Sequence, residues 1–123
     1  MLRIVGVDTE SGKEKEGILL QNQGVLNVDL HGIAILVESP LVEGPPKVWH
    51  VFSGARRVPP RGYVLLRSGV GVPCDARTKD GHPIVLDYAE QPQSLKELAV
   101  TNLRVLLPAS SYPLEPVPHI MLR

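Results

Sequence analysis

Val58-Pro59-Pro60-Arg61-Gly62-Tyr63-Val64-Leu65-Leu66-Arg67-Ser68-Gly69 reads as a stiff turn followed by a short strand. Each proline of the adjacent pair fixes φ near about −65° and removes a backbone donor. The pair also pushes Val58 toward an extended conformation. Gly62 lacks a Cβ, so a positive φ is expected there. Tyr63 to Leu66 is an apolar run between breakers, which suits a strand because it is too short for a helix. Gly69 ends it.

The rest of the composition agrees with that punctuation. The 123 residues fit one domain, 1–123. A chain of this size buries about two-thirds of its unfolded surface, so it needs no disulfide or metal to fold. Hydrophobic residues make up 43%, and 13 basic side chains balance 13 acidic ones, which argues against disorder. Twelve prolines and eleven glycines favour many short strands joined by turns over long helices. Cys74 is the single cysteine, so no internal disulfide forms and a reducing compartment is compatible. The N-terminus carries no apolar core of signal-peptide length. The longest purely aliphatic run, Ile33 to Val37, is far below a membrane span. These features predict a cytoplasmic chain with no membrane partner. Export of a longer parent stays open.

Outward from the turn, further strands follow. Leu2 to Val7 is β-like, and the polar run from Asp8 to Glu16 reads as a charged turn. Gly17 to Gln23 is a strand with Ile18 and Leu20 on one face. Val25 to Leu30 is irregular but extended. Ile33 to Val37, nearly all apolar, should be a central strand. Ser39 to Pro46 is a loop. Lys47 to Phe52 is a strand, in which Trp49 and Phe52 can share a face only if a bulge intervenes. Val70 to Pro73 is a loop, and Asp80-Gly81 is a strong turn signal. Pro83 to Tyr88 is a strand begun by proline. Ser94-Leu95-Lys96-Glu97 has capping-box spacing, so a short helical turn is expected. Ala99 to Leu107 is the last clear strand, and residues 108–123 form a proline-rich tail or an edge strand. The pattern predicts an all-β, immunoglobulin-like antiparallel β-sandwich of about seven to nine short strands.

Charge is uneven along the chain. Residues 47–79 hold seven basic side chains against Asp75 alone, while residues 1–46 hold three basic and seven acidic ones. Arg56, Arg57, Arg61 and Arg67 are therefore the candidate anion- or partner-contacting residues. Cross-strand charge pairing would explain the same asymmetry. Base-stacking aromatics are scarce, and Gly69-x-Gly71 lacks a following helix, so no nucleotide loop is expected. Cys74 with His82 is the one conceivable thiol–imidazole pair, but no activating residues surround it. The four histidines lack metal-ligand spacing. No catalytic residue, metal or cofactor is expected.

Several elements together resemble the lamin-tail domain family over residues 14–107. Gly17 to Gly24 looks like its early strand and asparagine-rich turn. Val28-Asp29-Leu30-His31-Gly32 looks like its V-D-L-x-G element, although Ile33 stands where the family usually has tryptophan. Trp49 to Phe52 matches its aromatic strand, and Val58 to Leu65 its L-P-P-G-x-Y turn. The family's late G-D step has only Val100-Thr101-Asn102 as its nearest match. The resemblance implies an immunoglobulin-like sandwich acting as a binding or structural module. Asp29 would cap a turn, and Gly32 and Gly62 would hold special backbone conformations. The expected function is a non-enzymatic protein-interaction or structural module, with a protein partner or self-association. Anion or nucleic-acid binding through residues 47–79 is the alternative, and a small hydrolase using Cys74 and His82 a remote one.

Overall fold

The computed structural model describes residues 1–108. The expected tail beyond Pro108 lies outside the described residues. The described residues form ten strands: β1 (Leu2–Asp8), β2 (Gly17–Asn22), β3 (Val28–Asp29), β4 (Ala34–Glu38), β5 (Lys47–Val51), β6 (Arg57–Val58), β7 (Tyr63–Arg67), β8 (Cys74–Arg77), β9 (Pro83–Tyr88) and β10 (Asn102–Leu106). They make a five-stranded sheet in the order β1-β2-β7-β9-β8 and a three-stranded sheet in the order β10-β4-β5. A small ladder, β3-β6, pairs Val28 with Val58 and Asp29 with Arg57. The fold is an all-β sandwich. Among the described residues no helix is long and apolar enough to cross a membrane.

All pairings are antiparallel except one. β7 and β9 run parallel, with Tyr63 opposite Ile84 and Arg67 opposite Tyr88. The cause is topological. After β7 the chain skips one strand position and lays down β8, which runs opposite to β7. The 78–82 turn then returns β9 into the vacant slot, antiparallel to β8 and so parallel to β7. Gly81 takes a φ of 84° in that turn, where glycine carries little steric cost. The sequence reading placed no strand at Cys74–Arg77, whose four residues are all exposed in the structure.

The core lies between the two sheets. Ile18 and Leu20 of β2, Val64 and Leu66 of β7, and Val85 of β9 face Ile35 and Val37 of β4. Val58 of β6 adds to it, and Leu30, Ile33, Phe52 and Leu95 fill in from the connections. Trp49 and Phe52 are both buried. Of the two alternatives, an outward aromatic or a bulge, the bulge is formed: Ile35 pairs with His50 and Leu36 with Val48, so Trp49 has no partner on β4. The slip of one residue turns both aromatic side chains inward.

The turn at Pro59–Gly62 is fastened by β2. Arg61 N donates to Asn22 O (2.8 Å), Asn22 N donates to Gly62 O (2.9 Å), and Gly62 N closes the turn on Pro59 O (2.9 Å). The positive φ expected at Gly62 sits one residue earlier, at Arg61 (φ 67°). With Pro60 before it, this is the dihedral pattern of a type II turn. Gly62 is needed for space instead: a Cβ there would lie 2.9 Å from Pro59 O and 3.0 Å from Val58 Cγ1. Gly32 does take a positive φ, 82°. Asp29 caps its turn as expected, its carboxylate accepting from His31 N at 3.0 Å.

Two buried polar side chains stand at the ends of β2. Asn22 Oδ1 accepts from the Met1 ammonium (3.1 Å) and Gly24 N (3.0 Å), while Nδ2 donates to Leu26 O (2.8 Å) and Val58 O (2.9 Å). Glu16, read from sequence as part of a solvated turn, is only 1% exposed. Its carboxylate accepts from Leu95 N (2.6 Å), Lys96 N (3.2 Å) and the Ser68 hydroxyl. The two backbone donors belong to the expected helical turn. There the capping box is formed, with Glu97 N donating to Ser94 Oγ (3.0 Å) and Ser94 N to Glu97 Oε1 (3.4 Å).

Candidate functional site

The four candidate arginines do not converge. Arg61 precedes β7 and Arg67 ends it, so about 20 Å separates them along the strand at roughly 3.3 Å per residue. Arg67 Nη1 donates to Lys15 O (3.0 Å). It also lies near Asp8, whose carboxyl is held below the usual value chiefly by hydrogen bonds from Ser11, with attraction from Arg67 adding to them. Arg56 pairs with Asp75 (3.2 Å) and donates to Leu86 O (3.4 Å). Arg57 stands opposite Asp29 in the β3-β6 ladder. Arg61 alone is exposed without an acidic neighbour in its hollow, which Gln21, Asn22, Gln23, Gly24, Val25 and Pro60 complete. The Arg56–Asp75 pair joins two residues of the 47–79 segment itself, so among the described residues ion pairing with the flanks does not account for the charge asymmetry.

Cys74 and His82 are also apart. Cys74 opens β8 opposite Leu86, whereas His82 follows the turn that begins after the Arg77–Pro83 pair. They sit at opposite ends of one hairpin, about 13 Å apart at roughly 3.3 Å per residue. The His82 ring rests edge-on to Tyr63 (6.4 Å between centroids).

A polar notch spans the two sheets beside β8. Asp87 shares the inner face of β9 with Val85 and approaches His50 of β5, with 3.7 Å between Nε2 and Oδ2. Arg56 and Asp75 extend the same polar edge. Burial lowers the His50 pKa from its ordinary 6.5, and the Asp87 charge opposes that shift. His50 Nε2 and Trp49 Nε1 are buried without a hydrogen-bond partner among the described residues. Sequence reading missed this notch because its members lie on strands of different sheets. A small hollow of about 220 Å³ beside it is lined by Phe52, Arg56, Pro73 and Asp87.

The large sheet offers the most distinctive surface. Its outer face carries a cross-strand row, Gly6–Leu19–Leu65–Leu86–Cys74, set by four successive pairings. Beside it run Gln21–Tyr63–Ile84–Ala76. Leu19, Leu65, Leu86, Ile84, Tyr63 and Tyr88 are all partly exposed. An antiparallel sheet that faces water normally alternates apolar-in with polar-out. Here β2 and β7 place leucine or isoleucine on both faces, and β9 places Ile84 and Leu86 outward with Val85 inward. Gly6 and Gly17 leave a hollow of about 320 Å³ floored by Leu19 and Leu65 and edged by Asp8, Lys15 and Arg67. Arg67 thus borders this face, and the other three candidate arginines do not line its hollow. The signal was present in the sequence: Ile18-Leu19-Leu20, Val64-Leu65-Leu66 and Ile84-Val85-Leu86 are unbroken apolar triplets, too continuous for strands wet on one side.

Comparison of the chain with family profiles, with curated proteins and with solved structures gives no match in any of the three.

Proposed function

We propose that this chain is a non-enzymatic protein-interaction module, an immunoglobulin-like sandwich of the lamin-tail type, which associates with a second copy of itself through the outer face of the large sheet. One observation carries the reading: the leucine row Leu19–Leu65–Leu86 on a face that no other part of the described chain covers. Five strands at about 4.8 Å spacing and five residues at about 3.3 Å give a face roughly 19 by 17 Å. With its rim, a face of that size suits a dimer near the lower bound of about 1,000 Å² for a stable interface. Strands β1 and β8 border it, and among the described residues their outer edges are unpaired, so a strand could also be added there. The lamin-tail character is supported by the way the matched elements work together. Asp29 caps the Gly32 turn, and the asparagine that ends the early strand holds the Pro59–Gly62 turn.

The test is sedimentation of the full chain across a wide concentration range, beside Leu65→Lys. A discrete dimer that Leu65→Lys converts to monomer is expected, with unchanged circular dichroism. A chain that stays monomeric at every concentration overturns the reading, as does a dimer indifferent to Leu65→Lys. Nucleic-acid binding is the weaker reading, because two of the four arginines already engage carboxylate or carbonyl groups of their own chain.

A further inference from the structure

We infer that two copies of this chain recognise each other with strands antiparallel, the Arg3–Tyr63 end of each large sheet binding the Asp8–Arg67 end of the other. This arrangement rests on the self-association proposed above and specifies which groups meet. β7 is the middle strand of the sheet. On the outer face the leucine row is flanked by Arg3–Gln21–Tyr63 on one side and by Asp8–Gly17–Arg67 on the other. Each flanking row stands two residues from the leucine row on β7, about 6.6 Å at roughly 3.3 Å per residue. Arg3 and Asp8 are an odd number of positions apart, so a regular strand would set them on opposite faces. The bulge between Ile4 and Gly6 absorbs the extra residue. Arg3, Gly6 and Asp8 thereby all stand on the outer face, opposite Gln21, Leu19 and Gly17.

A closed dimer uses the same patch on both copies, and aligned sheets keep their strand lines within about 30° of each other. Two such arrangements centre on Leu65. With the twofold axis along β7, every outward side chain of that strand meets its own counterpart. Arg67 then faces Arg67 of the second copy, and Arg3 lies over Ala76 at the far edge of the sheet. With the axis along the leucine row, the two flanking rows change places. Arg3 then faces Asp8 of the second copy, Tyr63 faces Arg67, and Gln21 comes over the hollow that Gly17 leaves. The twofold repeats each contact. Opposite charges thus meet twice, and each Arg67 guanidinium lies over a tyrosine ring, whose face attracts a cation. Like charges meet in the first arrangement and opposite charges in the second, and that difference selects the second. An axis moved across to β2 would also set Asp8 against Arg67, but it leaves Leu86 uncovered. Arg67 alone of the four candidate arginines borders this face, and here it contacts the second copy.

Charge reversal in the full chain tests this. Arg3→Asp sets a carboxylate against Asp8 of the second copy, and Asp8→Arg sets a guanidinium against Arg3. Each variant alone is expected to dimerise at least about tenfold more weakly than the unsubstituted chain. Mixed together, the two variants present opposite charges at both contacts. A heterodimer at least about tenfold tighter than either homodimer is therefore expected in sedimentation of the mixture. A mixture that associates no better than its components overturns the arrangement. A second readout needs no charge variant. Cys74 continues the leucine row on β8, so the two copies' thiols stand about 10 Å apart across the axis, against roughly 20 Å with the axis along β7. A short bismaleimide is expected to link the unsubstituted dimer through Cys74, and Leu65→Lys should abolish the link. A dimer that Leu65→Lys disperses but that does not link at Cys74 overturns this arrangement alone. A chain that never dimerises overturns the self-association together with it.

Discussion

Asn22 and Glu16 stand at opposite ends of the same strand, both buried, and each fastens a distant segment. Their chemistry differs because their neighbours differ. Around Asn22 are two donors, the Met1 ammonium and Gly24 N, and two acceptors, Leu26 O and Val58 O. Only a side chain with both kinds of group satisfies that set, and an amide has both. Around Glu16 every neighbour donates: Leu95 N, Lys96 N and the Ser68 hydroxyl. A carboxylate, which only accepts, fits there, and its charge suits the start of a helical turn. The lesson is that a buried polar position is specified by the donor and acceptor pattern around it, which hydropathy alone does not describe.

The isosteric exchanges break this comparison most directly. Asn22→Asp keeps the shape but turns an oxygen toward Leu26 O and Val58 O, leaving both carbonyls without a donor. It is expected to cost about 3 kcal/mol, read as a lowered denaturant midpoint at unchanged slope. A loss below about 1 kcal/mol would show that the amide is not what holds the Pro59–Gly62 turn. Glu16→Gln is the converse, setting an NH₂ among donors. Rotation can still offer one oxygen to Leu95 N, so a smaller loss of about 2 kcal/mol is expected. Faster hydrogen exchange should be confined to residues 94–100. If exchange instead rose evenly across both sheets, Glu16 would be a general core element and not the anchor of that turn.

His50 sharpens the comparison by supplying a buried polar group with an incomplete set. Burial lowers its pKa below 6.5, and Asp87 at 3.7 Å offsets that only in part. Between 6.5 and the lowered folded value, the unfolded chain binds the proton more readily than the folded one. Stability is therefore expected to fall as pH drops through that window and to level off beneath it. This is the smallest of the three effects. Unfolding curves from pH 7.5 to about 4.5 should show the slope, and His50→Gln should flatten it below pH 6.5. An equal slope in the variant would assign the effect to other groups.

These contrasts also mark what the sequence could carry. Apolar runs, prolines and turn residues are local signals. They located most strands, the Asp29 cap and the capping box at Ser94, and for Trp49 and Phe52 they narrowed the choice to an outward aromatic or a bulge. The Glu16 carboxylate meets a backbone 79 residues away, and Asn22 meets one 36 residues away, so nothing adjacent marked either side chain as buried. Arg61 and Gly62 show a subtler case. The turn was legible, but glycine's freedom was assigned to φ, whereas crowding by Pro59 and Val58 is what requires it there. The arginines were visible as a run of charge. Their dispersal was not, because it depends on which strand ends come together. The apolar triplets of β2, β7 and β9 were legible too, yet which leucine faced outward awaited the register.

The slot filled by β9 has a consequence for how the chain reaches its native state. As the polypeptide is made, β7 is complete long before residue 83 appears, so one flank of the growing sheet stays open in the meantime. The nearest segment able to close it is 74–77, which could fold straight back on β7 as an ordinary hairpin. That shortcut would shut out β9 and strand Ile84, Val85 and Leu86 in water. The composition of the interloper weakens the trap, since Cys74-Asp75-Ala76-Arg77 brings little apolar area to hold it in place. A weak outermost strand thus acts as a kinetic safeguard, yielding its position until the central one arrives.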